Sequence, residues 1–566
     1  MSAQELESDH YDVIVIGTGL AESIAAASLA KAGKSILHLD PNEYYGGQQA
    51  SLTLDELAIW AETQGQGEGA QSASSSSTGA YGITYSHAST SKLGPELERD
   101  KRRYALSLFP AVLPSRGKLI ETLIASDVSK YVSFRLLDGV SMYETSLNTE
   151  IGGEAGGIFR RVPGSKEEVF KDKSVGLLDK RRLMKFLLFA AGDFEQDDLL
   201  KGKEARPLLE FLQETFSIPA QLSQSIAYAI SHCSGEKDET LAALVRTRRY
   251  LRSIGRYGPS AFLVGQYGGA GEVAQGFCRA CAVFGGTYVL GPSALPSSIE
   301  QTSDGLSLQV PCHPRPVHAA HLISAPNHLP PDFVSLPLAP SSAVPESPSR
   351  SVQEESSAST STAAHCVAIT AIVPEALRRA GSQTGSGATA QDETGGESTE
   401  TTAAKAEGEA NDDTSIIVFP PVDGRPLVRC YINGEGSGSC PPGQYIIYLS
   451  ATITPESNVK DVDPAEILRP YLSKITSRPI YEAYYLSHRP STPPSASPSA
   501  ASALPEKVIV LSPYGGDNLL TEGLDYEAEQ GERAFHRVVR QMGEEIGGKQ
   551  FFEKEVSEEE ELGLDE

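Results

Sequence analysis

No apolar run in this sequence approaches the ~20 residues that a membrane-spanning helix needs. Its seven cysteines are odd in number and scattered, which favours a reducing compartment over a disulfide framework. Basic residues are also scarce, because 48 Lys and Arg stand against 74 Asp and Glu and leave a formal net charge of -26. This charge argues against non-specific nucleic-acid binding, which needs Lys and Arg to displace counterions. We expect a cytoplasmic protein that touches membranes only transiently or through a partner.

Sequence motifs of catalysis are missing as well. The 11 histidines do not form an H-E-x-x-H pattern, and neither a G-x-S-x-G elbow nor a Walker loop occurs. Cys278 and Cys281 fall on a predicted helix, with no second cysteine pair nearby to complete a zinc site. We interpret both as packing residues. The sequence predicts no catalytic residue, no metal site and no enzymatic activity of its own.

A βαβ unit opens the chain, in the stretch YDVIVIGTGLAESIAAASLAKAGKSILHLD. Gly17 and Gly19 meet the first two glycine requirements of a dinucleotide-binding turn, and Asp40 ends the second strand where a ribose-binding acid is expected. The third glycine is replaced by Glu22, whose carboxylate would repel a pyrophosphate at the helix N-terminus. The pattern predicts the fold of a dinucleotide domain, with cofactor binding as the weaker alternative.

The remaining sequence predicts one scaffold interrupted by insertions. The first domain is discontinuous and comprises residues 1–140, 233–335 and 415–545. A helical second domain covers 141–232, where Leu183, Phe186, Leu187 and Ala190 have the spacing of one buried helix face. The segments that we expect to lie outside the core are a flexible insertion at 64–95, low-complexity insertions at 336–414 around a strand near 365–375, a linker at 488–506 and an acidic tail at 546–566.

Three motifs together resemble the superfamily of Rab GDP-dissociation inhibitors and Rab escort proteins. They are YDVIVIGTGLAESI, LHLDPNEYYGGQQAS and GRYGPSAFLVGQYGGAGEVAQGFCRACAVFGGTYVL. The resemblance implies an α/β fold: an FAD/NAD(P)-binding-like, multi-sheet domain with a smaller all-helical second domain and disordered insertions. It also implies that this flavoprotein-like fold holds no cofactor and binds small GTPases instead, which agrees with Glu22.

Within the superfamily, the long insertions and the acidic tail resemble the escort branch. The segment KEEVFKDKSVGLLDKRRLMKFLLF resembles the one through which escort proteins dock on the α-subunit of the αβ Rab geranylgeranyltransferase, which implies contacts by Phe170 and Arg181. The implied function is to bind GDP-bound Rab, present it for C-terminal prenylation and deliver the lipidated product to membranes. The alternatives are a Rab GDP-dissociation inhibitor that recycles prenylated Rab, or an FAD-dependent oxidoreductase.

The resemblance also implies a GTPase-binding platform. It comprises Tyr45 of the YYGG motif and Glu272 and Arg279 of GEVAQGFCR, with Arg256 and Tyr257 of GRYG shaping the same face. From the residues alone, Glu272 and Arg279 are equally a pair of helix-surface charges.

An apolar patch for the Rab C-terminus is expected beside this platform. The corresponding residues are Leu108, Phe109, Val112 and Leu113, although Pro110 and Pro114 depart from the helical pattern of the family. The geranylgeranyl group on Rab would enter the helical domain along apolar residues such as those at 183–189, which could alternatively be plain core.

Overall fold

The computed structural model describes residues 6–65, 82–145, 157–163, 168–169, 175–303, 305–329, 360–374, 377, 412–422, 424–453, 462–490, 506–543 and 551–552. The strands of these residues, in chain order, are β1 (His10–Ile16), β2 (Ile36–Asp40), β3 (Ser51–Leu52), β4 (Thr84–Thr90), β5 (Leu106–Ser107), β6 (Leu113–Pro114), β7 (Phe134–Leu136), β8 (Gly139–Thr145), β9 (Gly157–Arg161), β10 (Phe262–Gly265), β11 (Thr287–Leu290), β12 (Ser298–Gln301), β13 (Leu306–Gln309), β14 (Val317–Ser324), β15 (Thr360–Thr370), β16 (Thr414–Phe419), β17 (Val428–Gly434), β18 (Tyr445–Ile453), β19 (Tyr481–Pro490) and β20 (Val508–Val510).

The α-helices of the same residues are α1 (Leu20–Lys31), α2 (Leu54–Gly65), α3 (Pro95–Asp100), α4 (Lys118–Ala125), α5 (Leu177–Ala191), α6 (Leu208–Phe216), α7 (Ala220–Ser225), α8 (Thr240–Ser253), α9 (Ala270–Val283), α10 (Pro464–Ile475) and α11 (Leu519–Gln541).

The first sheet is the dinucleotide-type layer of the fold. Its strands lie in the order β11-β2-β1-β14-β13-β12, and β20 pairs with the C-terminal half of β14. Strand β1 runs parallel to both of its neighbours, as a right-handed βαβ unit requires. Because side chains alternate along β1, Val13 and Val15 face α1, α9 and α11. Ile14 and Ile16 point to the other face, where they pack with side chains of β12, β13 and β14.

The second sheet has the strand order β4-β19-β15-β18-β17-β16-β8-β9 and is antiparallel except where β16 runs parallel to β8. One face packs against α10 through Leu468, Leu472 and Ile475. The other face shares a core with helices α5, α6 and α8, which form the helical region. Phe186 is fully buried in that core, in ring contact with Phe216.

Two boundaries differ from those expected. Residues 141–145 and 157–161, which we expect in the helical domain, belong instead to β8 and β9 of the second sheet. Strand β8 pairs with β16, which lies nearly half the chain away, and local sequence patterns carry no sign of such a pairing. Within the expected flexible insertion 64–95, β4 pairs with β19 and thereby extends the sheet edge. The strand expected near 365–375 is β15, and β19 continues into the segment expected to be a linker.

Candidate functional site

The glycine turn after β1 has the backbone of a dinucleotide site, but its polar groups are already paired within the chain. Gly17 adopts φ +102°, a conformation that favours glycine. The Asp40 carboxylate accepts hydrogen bonds from Thr18 N and Thr18 Oγ1, both at 2.6 Å, and from Asn42 N at 2.8 Å. The acid expected to bind a ribose is therefore engaged by the turn and by the loop that follows β2.

Side chains fill the space where a pyrophosphate would approach. A Cβ at Gly19 would lie 2.5 Å from Glu22 Oε2, and one at Gly17 would lie 3.0 Å from the His328 ring. Gln49 Oε1 accepts a hydrogen bond from Leu20 N at 3.2 Å, so it occupies a helix N–H that would otherwise face phosphate. The cavity that remains measures about 40 Å³. That volume holds roughly three waters, and these residues do not fit a dinucleotide.

The same cavity also holds two carboxyl groups that burial shifts towards the neutral form. Burial raises the pKa of Glu22 to about 7, and the charge of Asp40 adds to the shift. Glu527 of α11 lines the same cavity, and burial together with the charge of Glu22 raises its pKa well above the usual value. Two buried carboxyl groups therefore meet where a flavoenzyme would place the phosphates of its cofactor.

The YYGG loop rests on the first turn of α9, the helix that carries two of the predicted platform residues. A Cβ at Gly271 would lie 2.8 Å from Gln49 O, so the loop backbone touches the helix where Glu272 stands. Tyr45 is half-buried, and its ring meets that of Tyr288 edge-on at 5.8 Å. Burial raises the pKa of the half-buried Glu272.

The other predicted platform residues extend this face across α9 towards α4. Arg279 is exposed and its guanidinium lies 4.6 Å from the centre of the exposed Tyr131 ring. Arg256 donates from Nη1 to Ser115 O at 2.7 Å, which ties its own loop to the segment before α4. Tyr257 projects into solvent beside it.

The prediction that residues 108–113 present an apolar patch to a partner is wrong. Phe109, Val112 and Leu113 are buried, and Leu108 is half-buried against the core of the helical region. Val112 N donates to Leu520 O at 2.8 Å, which fixes this segment beneath α11. These residues are apolar because they join α11 to the rest of the core, so they offer no surface to a partner.

An open apolar groove lies instead between α4 and β7, and sequence reasoning missed it. It has a volume of about 360 Å³ and is lined by Ile120, Leu123, Ile124, Ser129, Phe134, Arg135, Leu136, Tyr257 and Leu263. Ile124 is 42% exposed and Tyr257 is 48% exposed. Ser129 lies two residues before Tyr131, so the groove adjoins the Arg279 face. The available signal was the apolar set 119, 120, 123 and 124, which is wider than one buried stripe.

The predicted transferase contacts are only partly described. Phe170 lies outside the described residues. Arg181 is exposed on α5, and the first turn of this helix presents Leu177 and Leu178, which are 81% and 60% exposed. Leu183 and Phe186 on the same helix are core residues, which agrees with the alternative that this helix face is plain core.

The described residues also bear on the other sequence expectations. Cys278 and Cys281 are both buried, and Cys278 Sγ lies 3.2 Å from Ser23 Oγ between α9 and α1, which confirms a packing role. Across the described ranges, no group of three or more His, Cys, Asp or Glu side chains could hold a metal ion. In the same part of the chain, no helix has the length and apolar character that crossing a membrane requires.

Comparison with known proteins tests the resemblance. The model of the GDP dissociation inhibitor family matches residues 7–74 and 64–335, together more than half of the chain. The protein named Rab proteins geranylgeranyltransferase component A from Saccharomyces cerevisiae is 28% identical over 81% of this chain and 64% of its own length. The Drosophila melanogaster protein of the same name is 33% identical over 57% of this chain and 60% of its own length. Rab escort protein 1 of Arabidopsis thaliana is 32% identical over 50% of this chain and 54% of its own length.

Among solved structures, the Rab GDI of Plasmodium falciparum shares the fold with a TM-score of 0.58 at 18% identity, over 95% of this chain and 99% of that one. An oxidoreductase from Methanosarcina mazei has a TM-score of 0.50 at 13% identity, over 92% of this chain and 99% of that one. The chain spans between about half and two-thirds of the length of the sequence relatives named above. The fold and the resemblance stated from sequence are confirmed, and the chain belongs to the GDP dissociation inhibitor family.

Proposed function

We propose that this chain is a Rab escort protein. It binds GDP-bound Rab GTPases, presents their flexible C-termini to the αβ Rab geranylgeranyltransferase and carries the geranylgeranylated product to membranes from the cytosol. The bond-forming chemistry belongs to the transferase, and the escort raises the effective concentration of the Rab tail at that enzyme. GDP-bound Rab is preferred because the switch conformation of the GTP form fits the platform less well.

One observation carries the proposal: the dinucleotide site is filled by the chain's own side chains, whereas an apolar groove elsewhere in the fold stays open. Glu22, Gln49 and His328 occupy the space over the glycine turn. The groove adjoins the face that holds Arg279 and Tyr131. Such an arrangement suits a protein that binds another protein's extended apolar segment and leaves no room for a flavin. We assign the Rab C-terminal segment to this groove.

The escort function is favoured over the recycling inhibitor by two observations. The relatives reported above carry the names component A and Rab escort protein, whereas the Rab GDI of Plasmodium falciparum supports the fold alone. Helix α5 also exposes Leu177 and Leu178 beside Arg181, an apolar surface with a neighbouring guanidinium. That pairing suits a docking contact in which leucines fill a pocket and the arginine binds a carboxylate.

Reconstituted prenylation tests the proposal. GDP-bound Rab, geranylgeranyl diphosphate and the catalytic αβ transferase are mixed with and without this chain, and lipid on Rab is counted by mass spectrometry. We expect lipid transfer only when the chain is present. Absence of transfer, with every component active beside a known escort protein, would contradict the escort function and leave a recycling inhibitor.

A charge reversal on α5 separates docking on the transferase from binding of Rab. Arg181→Glu should lower prenylation and transferase affinity but leave the affinity for GDP-bound Rab unchanged, because Arg181 stands on the helical region and away from α9. The matched control is Lys185→Glu, one turn further along the same exposed helix surface. Equal losses in both variants would mean that the overall charge of α5 matters and that Arg181 makes no specific contact.

A further inference from the structure

A second polar cavity lies where the second sheet, the helical region and the loop before α11 meet. Arg429 of β17 and Arg489 of β19 line it, together with the hydroxyl groups of Ser361, Ser450 and Thr452. Its volume is about 30 Å³. The glycine turn and the groove of the proposed GTPase site are not among its lining residues.

Arg429 is buried, at 8% exposure, and all the hydrogen-bond acceptors that it meets are neutral. Its Nη2 donates to Cys233 O at 2.9 Å and to His232 O at 3.2 Å, and its Nη1 donates to Asp517 O at 3.2 Å. These carbonyl groups belong to the helical region and to the loop before α11. Arg429 therefore joins three parts of the molecule without having its charge neutralised by a direct ion pair.

Arg489 is the more unusual of the two, at 7% exposure. Its Nε is buried without a hydrogen-bond partner, and no acidic side chain of the described residues forms an ion pair with its guanidinium. Burial of an arginine without an acceptor is costly, so such a group calls for a bound water or ion. Burial also lowers the pKa of Arg489, against the opposing effect of the nearby Tyr85 and Tyr485 hydroxyls.

The nearest acid does not balance these charges. Asp517 is exposed at the cavity rim, and its Oδ1 accepts hydrogen bonds from Ser361 Oγ and Thr452 Oγ1 at 3.3 Å each. Asp238 also acts on Arg429 through its charge, but it forms an ion pair with Arg246 at 2.9 Å. The cavity is a local excess of positive charge in a chain whose formal net charge is -26.

We propose that this cavity binds one small monovalent anion, of the size of chloride or of a single carboxylate, between Arg429 and Arg489. The volume of about 30 Å³ exceeds the roughly 10–15 Å³ that one water needs, so the cavity has room for a halide or formate ion. The unpartnered Nε–H of Arg489 donates to the anion, and charge-assisted bonds of this kind are about twice as strong as neutral ones. Because Arg429 contacts the helical region, the bound anion stabilises its attachment to the sheet.

Thermal unfolding at constant ionic strength tests the site. Sodium gluconate, whose anion is too large for the cavity, is replaced stepwise by sodium chloride or sodium formate. We expect the Tm of the full chain to rise by roughly 2–4 °C and to saturate, as binding to the native state alone requires. A Tm that is equal in all three salts would overturn the proposal and leave a cavity that holds waters only.

A variant and a direct measurement locate the effect. Arg489→Met should abolish the dependence of Tm on chloride, whereas Arg469→Met, on α10 at the opposite face of the same sheet, should retain it. Bromide-soaked crystals of the unaltered protein should show anomalous density between Arg429 and Arg489, so the test survives if Arg489→Met fails to fold. Retention of the chloride response by Arg489→Met, or an empty cavity in the bromide map, would contradict the site.

Discussion

The glycine turn and the apolar groove lie on the same domain, but side chains fill the space at the turn and leave the groove open. At the turn, Gly19 keeps the backbone of a phosphate-binding loop, yet Glu22 and Gln49 fill the space above it. In the groove, Ile124 and Tyr257 remain exposed although both are large and apolar. The comparison teaches that a preserved backbone motif says little about binding, because a few side chains decide whether its space is open. It also separates apolar residues that support the fold from those that remain available to a partner.

Phe109→Ala tests the buried side of this comparison and should have the largest effect. The ring packs beneath α11, where a Cβ at Gly523 would lie 2.8 Å from Phe109 Cζ. Its removal should lower the free energy of unfolding by about 3–5 kcal/mol, as large-to-small changes in cores do. Urea unfolding measures this loss. A well-folded variant with normal stability and weakened Rab binding would instead restore the 108–113 segment as a contact surface.

Glu22→Gln tests the filled site through pH. The folded-state pKa of Glu22, about 7, lies above its unfolded value of 4.5, so ionisation of the buried carboxyl destabilises the native state as pH rises. The cost is absent below pH 4.5, grows between pH 4.5 and 7, and is complete above pH 7. The variant should therefore be more stable than the natural chain by about 3 kcal/mol at pH 8 and nearly equal to it at pH 4.5.

Urea unfolding of both proteins at the two pH values checks this prediction. Neighbouring Glu527 also has a raised pKa, so part of the pH dependence should remain in the variant. A variant that is destabilised equally at both pH values would show that Glu22 is held ionised by the helix N-terminus.

Ile124→Asp tests the open groove. It should change a free energy least of the three variants, and the change should appear in binding and not in stability. A charge in the groove should weaken binding of full-length GDP-bound Rab by about 10–100-fold, which corresponds to the burial of one aliphatic side chain. Isothermal titration measures the affinity. Ile59→Asp, at an exposed isoleucine of α2, is the matched control. Rab that lacks its C-terminal segment should bind both variants and the natural chain equally, and an equal loss with this truncated Rab would remove the groove from the tail-binding function.

Much of the fold could be predicted from local patterns. The βαβ unit follows from a short β-branched run, a glycine pair and an alanine-rich helix, and the structure has these elements as β1, α1 and β2. The strand of the later insertion is present as β15. Residues 141–145 belong to β8, whose partner β16 is distant in sequence, and this pairing cannot be read from either segment alone.

The sequence by itself determined that the turn departs from a dinucleotide site, because Glu22 stands where a third glycine is required. Only the tertiary structure decided which apolar residues face solvent and which buried charges lack a partner. Phe109 and Ile124 are both apolar residues close together in the chain, but α11 covers the first and leaves the second exposed. Arg429 and Arg489 are 60 positions apart in the sequence and line one cavity because β17 and β19 belong to one sheet. Local periodicity reports which face of an element is apolar, whereas burial and charge balance depend on what the rest of the chain places against it.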